Sequence, residues 1–280
     1  MIDRYKTDKI DRIFTDDHKY EKWLEVEKTV AEVQEELGII PRGLSRRLAK
    51  LKVDPRRINK IEMKTNHDVI AFLEAVREKA GGAGKWLHFG MTSYDLVDTA
   101  LSLMIREAGV VIDDEMNVLL RVLRTIARRY RKTPQMGRTH GIFAQPITFG
   151  LKAASWYNEV VRSRVRFRVA AGDAAYGKLS GAVGAYTILD PAIEKRVMRK
   201  LRLKPEPVAT QVIPRDRVAA LLSCLILYAC ALERIATEIR NLARSEIGEV
   251  TEPFGHGQKG SSAMPHKQNP VICERVCGLV

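Results

Sequence analysis

From Pro214 to about Glu249 the chain carries one unbroken helical pattern, apolar from Val218 to Ile235. A helix that is apolar around its whole circumference has no polar side to turn to water, so it demands other helices around it. That demand points to an all-α fold built on a bundle of long helices. The remaining pattern agrees. Trp23, Val26, Val30, Val33 and Leu37 recur at intervals of three and four, which predicts a helix over 15–37 that Gly38 ends. A short helix is expected with Pro41 near its first position, and another from an Asn66 N-cap through His67-Asp68-Val69 to Ala80. Gly81 to Gly84 reads as a turn. Thr92 with Asp95 forms a capping-box variant that opens a helix to about Ala108, and Val111–Arg131 reads as the next. Pro134 and Gly137 break the chain, Pro146–Ala171 reads as a long helix, and Asn269-Pro270 reads as the cap and first position of a last one. Tyr186 to Leu189 is at most one short strand or a loop. The expected organisation is a small N-terminal helical domain over 1–91 followed by a central long-helix bundle over 92–280. Val280 falls inside an apolar helical pattern without a C-cap, so the C-terminal part of the bundle is expected to be missing.

Composition narrows the function classes. No run of about 18 apolar residues exists, so no membrane span is expected. Met1 to Tyr5 contains no apolar signal core, and a cytoplasmic location is expected. Cys224, Cys230, Cys273 and Cys277 form no Cys-x-x-Cys pair or Cys/His cluster, which speaks against a zinc site and for free thiols, with Cys273 and Cys277 in a helix core. The net charge of +13 has two readings, attraction of a polyanion or a solvated basic surface. Arg162, Arg164, Arg166 and Arg168 scatter around a helix and form no stripe for a phosphate backbone.

Three stretches concentrate chemistry. Gly260-Ser261-Ser262-Ala263-Met264-Pro265-His266-Lys267-Gln268-Asn269-Pro270 gathers two hydroxyls, a lysine and an amide in a segment that Pro265 keeps from regular structure. With glycines at 255, 257 and 260 before it, such a loop suits a mobile lid. His88-Phe89-Gly90-Met91-Thr92-Ser93 sets hydroxyls at a helix N-terminus, where free N–H groups attract carboxylate or phosphate. Gly137-Arg138-Thr139-His140-Gly141 sits between two helices and offers an accessible imidazole. His67 and Asp68 are neighbours that a helix would point apart.

The undecapeptide resembles the signature loop of the fumarase/aspartase superfamily. The Arg4-Tyr5 start, Asn66-His67-Asp68-Val69, the 88–93 and 137–141 blocks and Met264-Pro265-His266-Lys267 together resemble the adenylosuccinate lyase family, from residue 4 to the end of the chain. Argininosuccinate lyases usually lack the histidine before the signature lysine, and carboxymuconate cycloisomerases are not expected to carry the Arg-Thr-His block. The resemblance implies β-elimination of fumarate from adenylosuccinate, giving AMP, and from SAICAR, giving AICAR. It implies Ser261 as general base with Ser262 as fallback, His140 as general acid and Glu274 to orient it. Lys267 and Asn269 would hold the reacting carboxylates, and Thr92, Ser93 and Thr139 carboxylate or phosphate oxygens. Arg4, Tyr5, His67, Asp68 and Gln211 map to nucleotide contacts, with His88 nearby. No metal or organic cofactor is implied. The implied assembly is a homotetramer whose active sites each draw on three subunits. Phe143 stands where the family often has a second histidine. A non-catalytic basic scaffold binding nucleic acid is the rival reading; it explains the charge but not the loop.

Overall fold

The computed structural model describes residues 2–264 and 266–280. They form ten α-helices and two small two-stranded sheets, and contacts group them into two compact units, 1–112 with 171–218 and 113–170 with 219–280. The all-α expectation holds, with corrections of detail.

In the first unit, α1 (Asp8–Asp11) is a single turn, and α2 (Asp16–Glu36) begins where the Thr15 hydroxyl accepts the His18 N–H at 3.3 Å. Asp16 and Asp17 complement the helix dipole there. Packed around α2 are α3 (Leu44–Leu48), α4 (Pro55–Thr65) and α5 (Asp68–Ala80). Aromatic residues are few, yet three meet in this core. Trp23 stands edge-on to both Tyr20 and Phe72 with ring centroids 5.3 Å apart, a geometry that suits the ring quadrupoles. The short helix opens at Gly43 rather than Pro41. Asn66 is not the N-cap of α5 but the left-handed C-cap of α4, and His67 caps α5 instead. An amide side chain tolerates that left-handed backbone, which is why the same residue can end one helix just before the next begins.

The chain then enters α6 (Ser93–Arg129), one helix where two were expected. Gly109 lies inside it; a Cβ there would sit 3.6 Å from the Ala171 Cβ, so the glycine serves close packing rather than a break. The expected capping box is present, with the Thr92 N–H donating to Asp95 Oδ2 at 3.0 Å. Below it α6 carries a polar seam at Asp95, Thr99, Ser102 and Arg106, one helical face. Lys178 Nζ donates to Asp95 Oδ1 at 2.5 Å with both side chains fully buried. Thr99 exchanges hydrogen bonds with the Lys178 backbone, Ser102 donates to the Tyr176 carbonyl and Arg106 to that of Leu201. Asp98 on the adjacent face accepts from the Ile213 N–H and from Arg215. The partners come from β3 (Tyr176–Gly177), which pairs in parallel with β4 (Lys204–Pro205), from α8 (Pro191–Leu201) and from the loops beside them. Tyr186 to Leu189 is loop.

In the second unit, the stretch from Pro134 to Thr148 is a hairpin, β1 (Pro134–Thr139) with β2 (Ile142–Thr148), and α7 (Phe149–Asp173) starts after it rather than at Pro146. Pro146 is therefore a strand residue, opposite Met136. Tyr130, Phe149 and Trp156 form an edge-to-face chain at 5.6 and 6.0 Å above Leu120, Leu123, Val160 and Ile235. Arg164 forks onto Asp113 at 2.7 and 2.9 Å and holds that carboxyl below its ordinary range; Arg166 donates to Ser163. α9 (Asp216–Leu242) is shorter than expected, and α10 (Val271–Leu279) closes the described chain.

The helices of this chain cover α9 only in part. Leu222, Ile226 and Leu227 are 54%, 62% and 50% exposed. By length and composition alone α9 could cross a membrane, with a most-apolar stretch of mean hydropathy 1.9. That corrects the expectation of no span-length apolar segment, which counted uninterrupted apolar residues. α6 and α7 expose Val110, Val118, Val165 and Val169 as well.

The buried pair gives a direct test. Lys178→Met keeps the length of the side chain and removes its charge, leaving Asp95 buried without a cation. Urea denaturation is expected to show a loss of about 3–5 kcal/mol. A loss under about 1 kcal/mol would mean that the neighbouring amides hold Asp95 unaided.

Candidate active site

The first unit positions one set of the expected residues. Arg4 is exposed in a 3-10 turn, Asp3–Tyr5, with Tyr5 half-buried at its end. His67, as N-cap, lies outside the helical geometry that would have turned it from Asp68, and its Nδ1 stands 3.5 Å from Asp68 Oδ1. The same nitrogen accepts the Ile70 N–H at 3.4 Å and so caps α5. His88 takes a left-handed backbone at φ +64 and is held twice by buried Glu27. Its backbone N–H donates to Glu27 Oε2 at 3.1 Å, and its Nδ1 lies 2.5 Å from Oε1. Thr92 and Ser93 stand half-buried at the head of α6, anchored through Asp95, which also accepts the Gly181 N–H. Gln211 is exposed in the loop before α9. Among the described residues no hydrogen bond joins any two of Arg4, His67, His88, Thr92 and Gln211.

The second unit holds the rest. His140 and Gly141 are the two loop residues of the hairpin, both with positive φ, +56 and +81. Such a turn matches the right-handed twist of the strands, and glycine fits its second position without strain. The interhelical segment of the sequence reading is thus a rigid arm with an exposed imidazole at its tip and Thr139 beside it. A bulge at Gly137 turns the strand between Met136 and Arg138. Arg138 is fixed by Glu249 Oε1 at 2.5 Å, and Gln135 donates to the other oxygen of Glu249 at 2.8 Å.

The signature segment folds as a loop around a pinched neck. Asn269 Nδ2 donates to the Gly260 carbonyl at 2.9 Å, and a Cβ on Gly260 would come within 2.0 Å of the Lys267 carbonyl oxygen. Ser261 Oγ accepts the N–H groups of Ala263 and Met264 at 3.3 and 3.2 Å. Two N–H donors on one hydroxyl oxygen stabilise negative charge on it, which is what an alkoxide base requires. Ser262 is exposed. Pro265 lies outside the described residues. Lys267, Asn269 and Glu274 line one polar cleft of about 590 Å³ with Arg240, Arg244 and His266. Among the described residues no hydrogen bond joins His140 to Ser261, Ser262 or Glu274.

Asn269-Pro270 does not cap α10. Pro270 precedes the helix, and Glu252, far back in the chain, accepts the Ile272 and Cys273 N–H groups at 3.1 and 2.8 Å. Burial raises the Glu252 carboxyl, but the Cys273 thiol together with the Cys273 and Ile272 N–H groups outweighs it and the net shift is downward. Burial, then Glu252, pushes the Cys273 thiol up to about 12. Cys277 is half-buried and all four cysteines are free. Sequence reading missed Glu27, Lys178, Glu249 and Glu252. Glu27 left a signal, a carboxylate four residues after Trp23 on the apolar stripe of α2.

A bundle of long helices with a Ser-Ser-x-Met-Pro-x-Lys-x-Asn loop at a polar cleft defines a class, the helical lyases. Two solved structures share the fold. A fumarate lyase from Mesorhizobium sp. superposes with a TM-score of 0.87 at 29% identity, over 97% of this chain and 62% of that one. A 3-carboxy-cis,cis-muconate lactonizing enzyme from Pseudomonas putida gives 0.87 at 27%, over 96% and 62%. The lyase family model matches residues 3–280, and the chain belongs to that family. Curated relatives named adenylosuccinate lyase include those of Thermotoga maritima and Synechocystis sp., each 48% identical over 280 residues, and of Aquifex aeolicus, 45% identical over 283. Each comparison covers all of this chain, which spans 65% of the length of those relatives.

The Glu252 cap has a pH signature. A depressed folded pKa contributes stability above the ordinary carboxylate range that is lost as pH falls through the folded value. Amide hydrogen exchange at Ile272 and Cys273 is therefore expected to be protected at neutral pH and to lose protection once pH falls below the ordinary carboxylate range, after correction for intrinsic rates. Glu252→Gln should flatten that dependence.

Proposed function

We propose that the chain forms the N-terminal and central part of an adenylosuccinate lyase subunit. The observation that carries this reading is the Ser261 hydroxyl, set in the signature loop with two N–H donors on its oxygen and Lys267 and Asn269 held at the neck of the same loop. The 45–48% identity to relatives of that name supports the choice of substrate. In the first half of the reaction Ser261 removes a Cβ proton from the succinyl group of adenylosuccinate. The electron pair moves into the adjacent carboxylate, where Lys267 and Asn269 neutralise the developing charge. In the second half the pair returns to form the carbon–carbon double bond of fumarate, the C–N bond breaks, and His140 protonates the departing nitrogen of AMP. Glu274 orients the acid. SAICAR presents the same succinyl amine and follows the same course to AICAR. Arg4, Tyr5, His67, Asp68, His88, Thr92, Ser93, Thr139 and Gln211 hold the nucleotide and its carboxylates.

The assembly is a cytoplasmic homotetramer in which the exposed apolar faces of α6, α7 and α9 pack against other copies, and the 1–91 and 92–280 segments act as its N-terminal domain and bundle. His140 then serves a Ser261 from a neighbouring subunit. This reading accounts for an apolar α9 without a membrane. It also leaves the arginines of α7 little to offer a nucleic acid, since Arg164 and Arg166 are engaged locally.

In the full-length protein, Ser261→Ala and His140→Ala are each expected to lower kcat for adenylosuccinate by about 10²–10⁴-fold, followed by absorbance. Mixing the two inactive variants and allowing subunits to exchange should restore part of the activity, because some sites then receive both native residues. Persistent inactivity of the mixture, with exchange verified by mass, would sink the shared site.

A further inference from the structure

The C-terminal part of α6 carries arginines at 121, 124 and 128, spacings of three and four that place them along one helical face, and Arg131 follows in the turn just after the helix. Arg124, Arg128 and Arg131 line a cleft of about 370 Å³, closed on its other side by Thr148, Gly150, Leu151 and Tyr157 at the start of α7. Basic residues at a helix C-terminus complement its dipole, but that effect fades within the last turn. It accounts for Arg128 and not for Arg124, more than a turn earlier. Other arginines of this unit are neutralised inside the chain: Arg138 by Glu249, Arg164 by Asp113 and Arg234 by Glu159. Among the described residues the guanidinium groups of Arg124, Arg128 and Arg131 make no hydrogen bond or ion pair, and no carboxylate lines the cleft. Three exposed like charges around one concave surface focus a positive potential that favours an anion.

We propose that this cleft is a binding site for a phosphate-bearing small anion, separate from the loop that carries Ser261. Guanidinium groups grip phosphate oxygens through paired N–H donors, and three of them suit a di- or polyphosphate better than a single carboxylate. Thr148 adds a directional donor. Its oxygen already accepts the Leu151 N–H at 3.1 Å, which leaves its own proton available. The Tyr157 ring, half-buried against the core, forms an apolar wall. The volume lies within the range of small-ligand sites.

The test uses the full-length protein with pyrophosphate as probe, by calorimetry at constant ionic strength with potassium chloride as control. Saturable binding is expected, and the double variant Arg124→Ala/Arg128→Ala should weaken it by at least about tenfold per arginine while leaving turnover without pyrophosphate unchanged. Lys267→Ala, which strips a cation from the other cleft, should leave pyrophosphate affinity unaltered. Three results would overturn the proposal: no saturable binding, affinity that survives loss of both arginines, or affinity lost with Lys267.

Discussion

The buried Lys178–Asp95 pair fixes more of this molecule than any other contact. Two full charges lie out of water, and such a pair is stable only when every remaining donor and acceptor is satisfied. Here most of them are: Asp95 accepts from Lys178 and from the Thr92 and Gly181 amides, and Lys178 also donates to the Gly181 carbonyl. The pair thus ties three separate pieces of backbone to one point. One is the head of α6, where Thr92 and Ser93 stand; another is the turn at Gly181; the third is the chain at β3. Thr99, Ser102 and Arg106 continue the same seam down the helix. A purely apolar face would pack equally well a turn higher or lower, whereas a ladder of polar groups at i, i+4, i+7 and i+11 fits in one register only. That register sets where the N-terminus of α6 ends up.

The exposed apolar faces follow from a different constraint. α9 buries Leu221, Ala231, Ile235, Ala236 and Leu242, leaving the opposite side, Leu222, Ile226 and Leu227, in the open. In isolation each exposed side chain forgoes about 1.5–3 kcal/mol of burial free energy. The proposed assembly would cover these apolar stripes on three long helices. A catalytic arrangement shared between copies is the natural partner of such a fold, because the surfaces that must meet for stability can also bring distant loops together.

Much of this was legible beforehand, and the failures have physical causes. The helices over 16–36, 68–80 and 149–173 followed from apolar spacing, because their buried faces are continuous. The hairpin at 134–148 did not, since Gln135, Gly137, Arg138 and Gln145 do not alternate with apolar residues; its stability comes from the backbone ladder and a His140-Gly141 turn that local composition alone does not distinguish from a break. Gly109 misled for the opposite reason: propensity argues against glycine in a helix by about 1 kcal/mol, and buried Met104, Ala108 and Met116 outweigh it. The signature loop singles out Ser261, Lys267 and Asn269 as candidates through their local pattern. Glu252 and Glu27 act across 20 and 61 residues of chain, and no local pattern carries that information.

The chemistry assigned to Ser261 depends on how the loop divides into fixed and loose parts. A serine hydroxyl in water is far too weak a base for a carbon acid, so its environment must supply the difference. Two amide N–H groups already point at the oxygen, yet Ser262 beside it remains in contact with solvent, where such dipoles are heavily screened. The donors become effective once water is displaced and the local dielectric falls. The neck at Gly260, Lys267 and Asn269 is the part that can stay constant through that change, because a side-chain amide bond and a backbone contact too close for any Cβ lock it. Between these fixed ends, Ser261 to Met264 is held by the two amide contacts to the Ser261 oxygen. A segment so anchored can fold down over a bound substrate without reshaping the cleft that receives the substrate's carboxylates. In the proposed reaction that motion would switch on the base only when there is a proton for it to take.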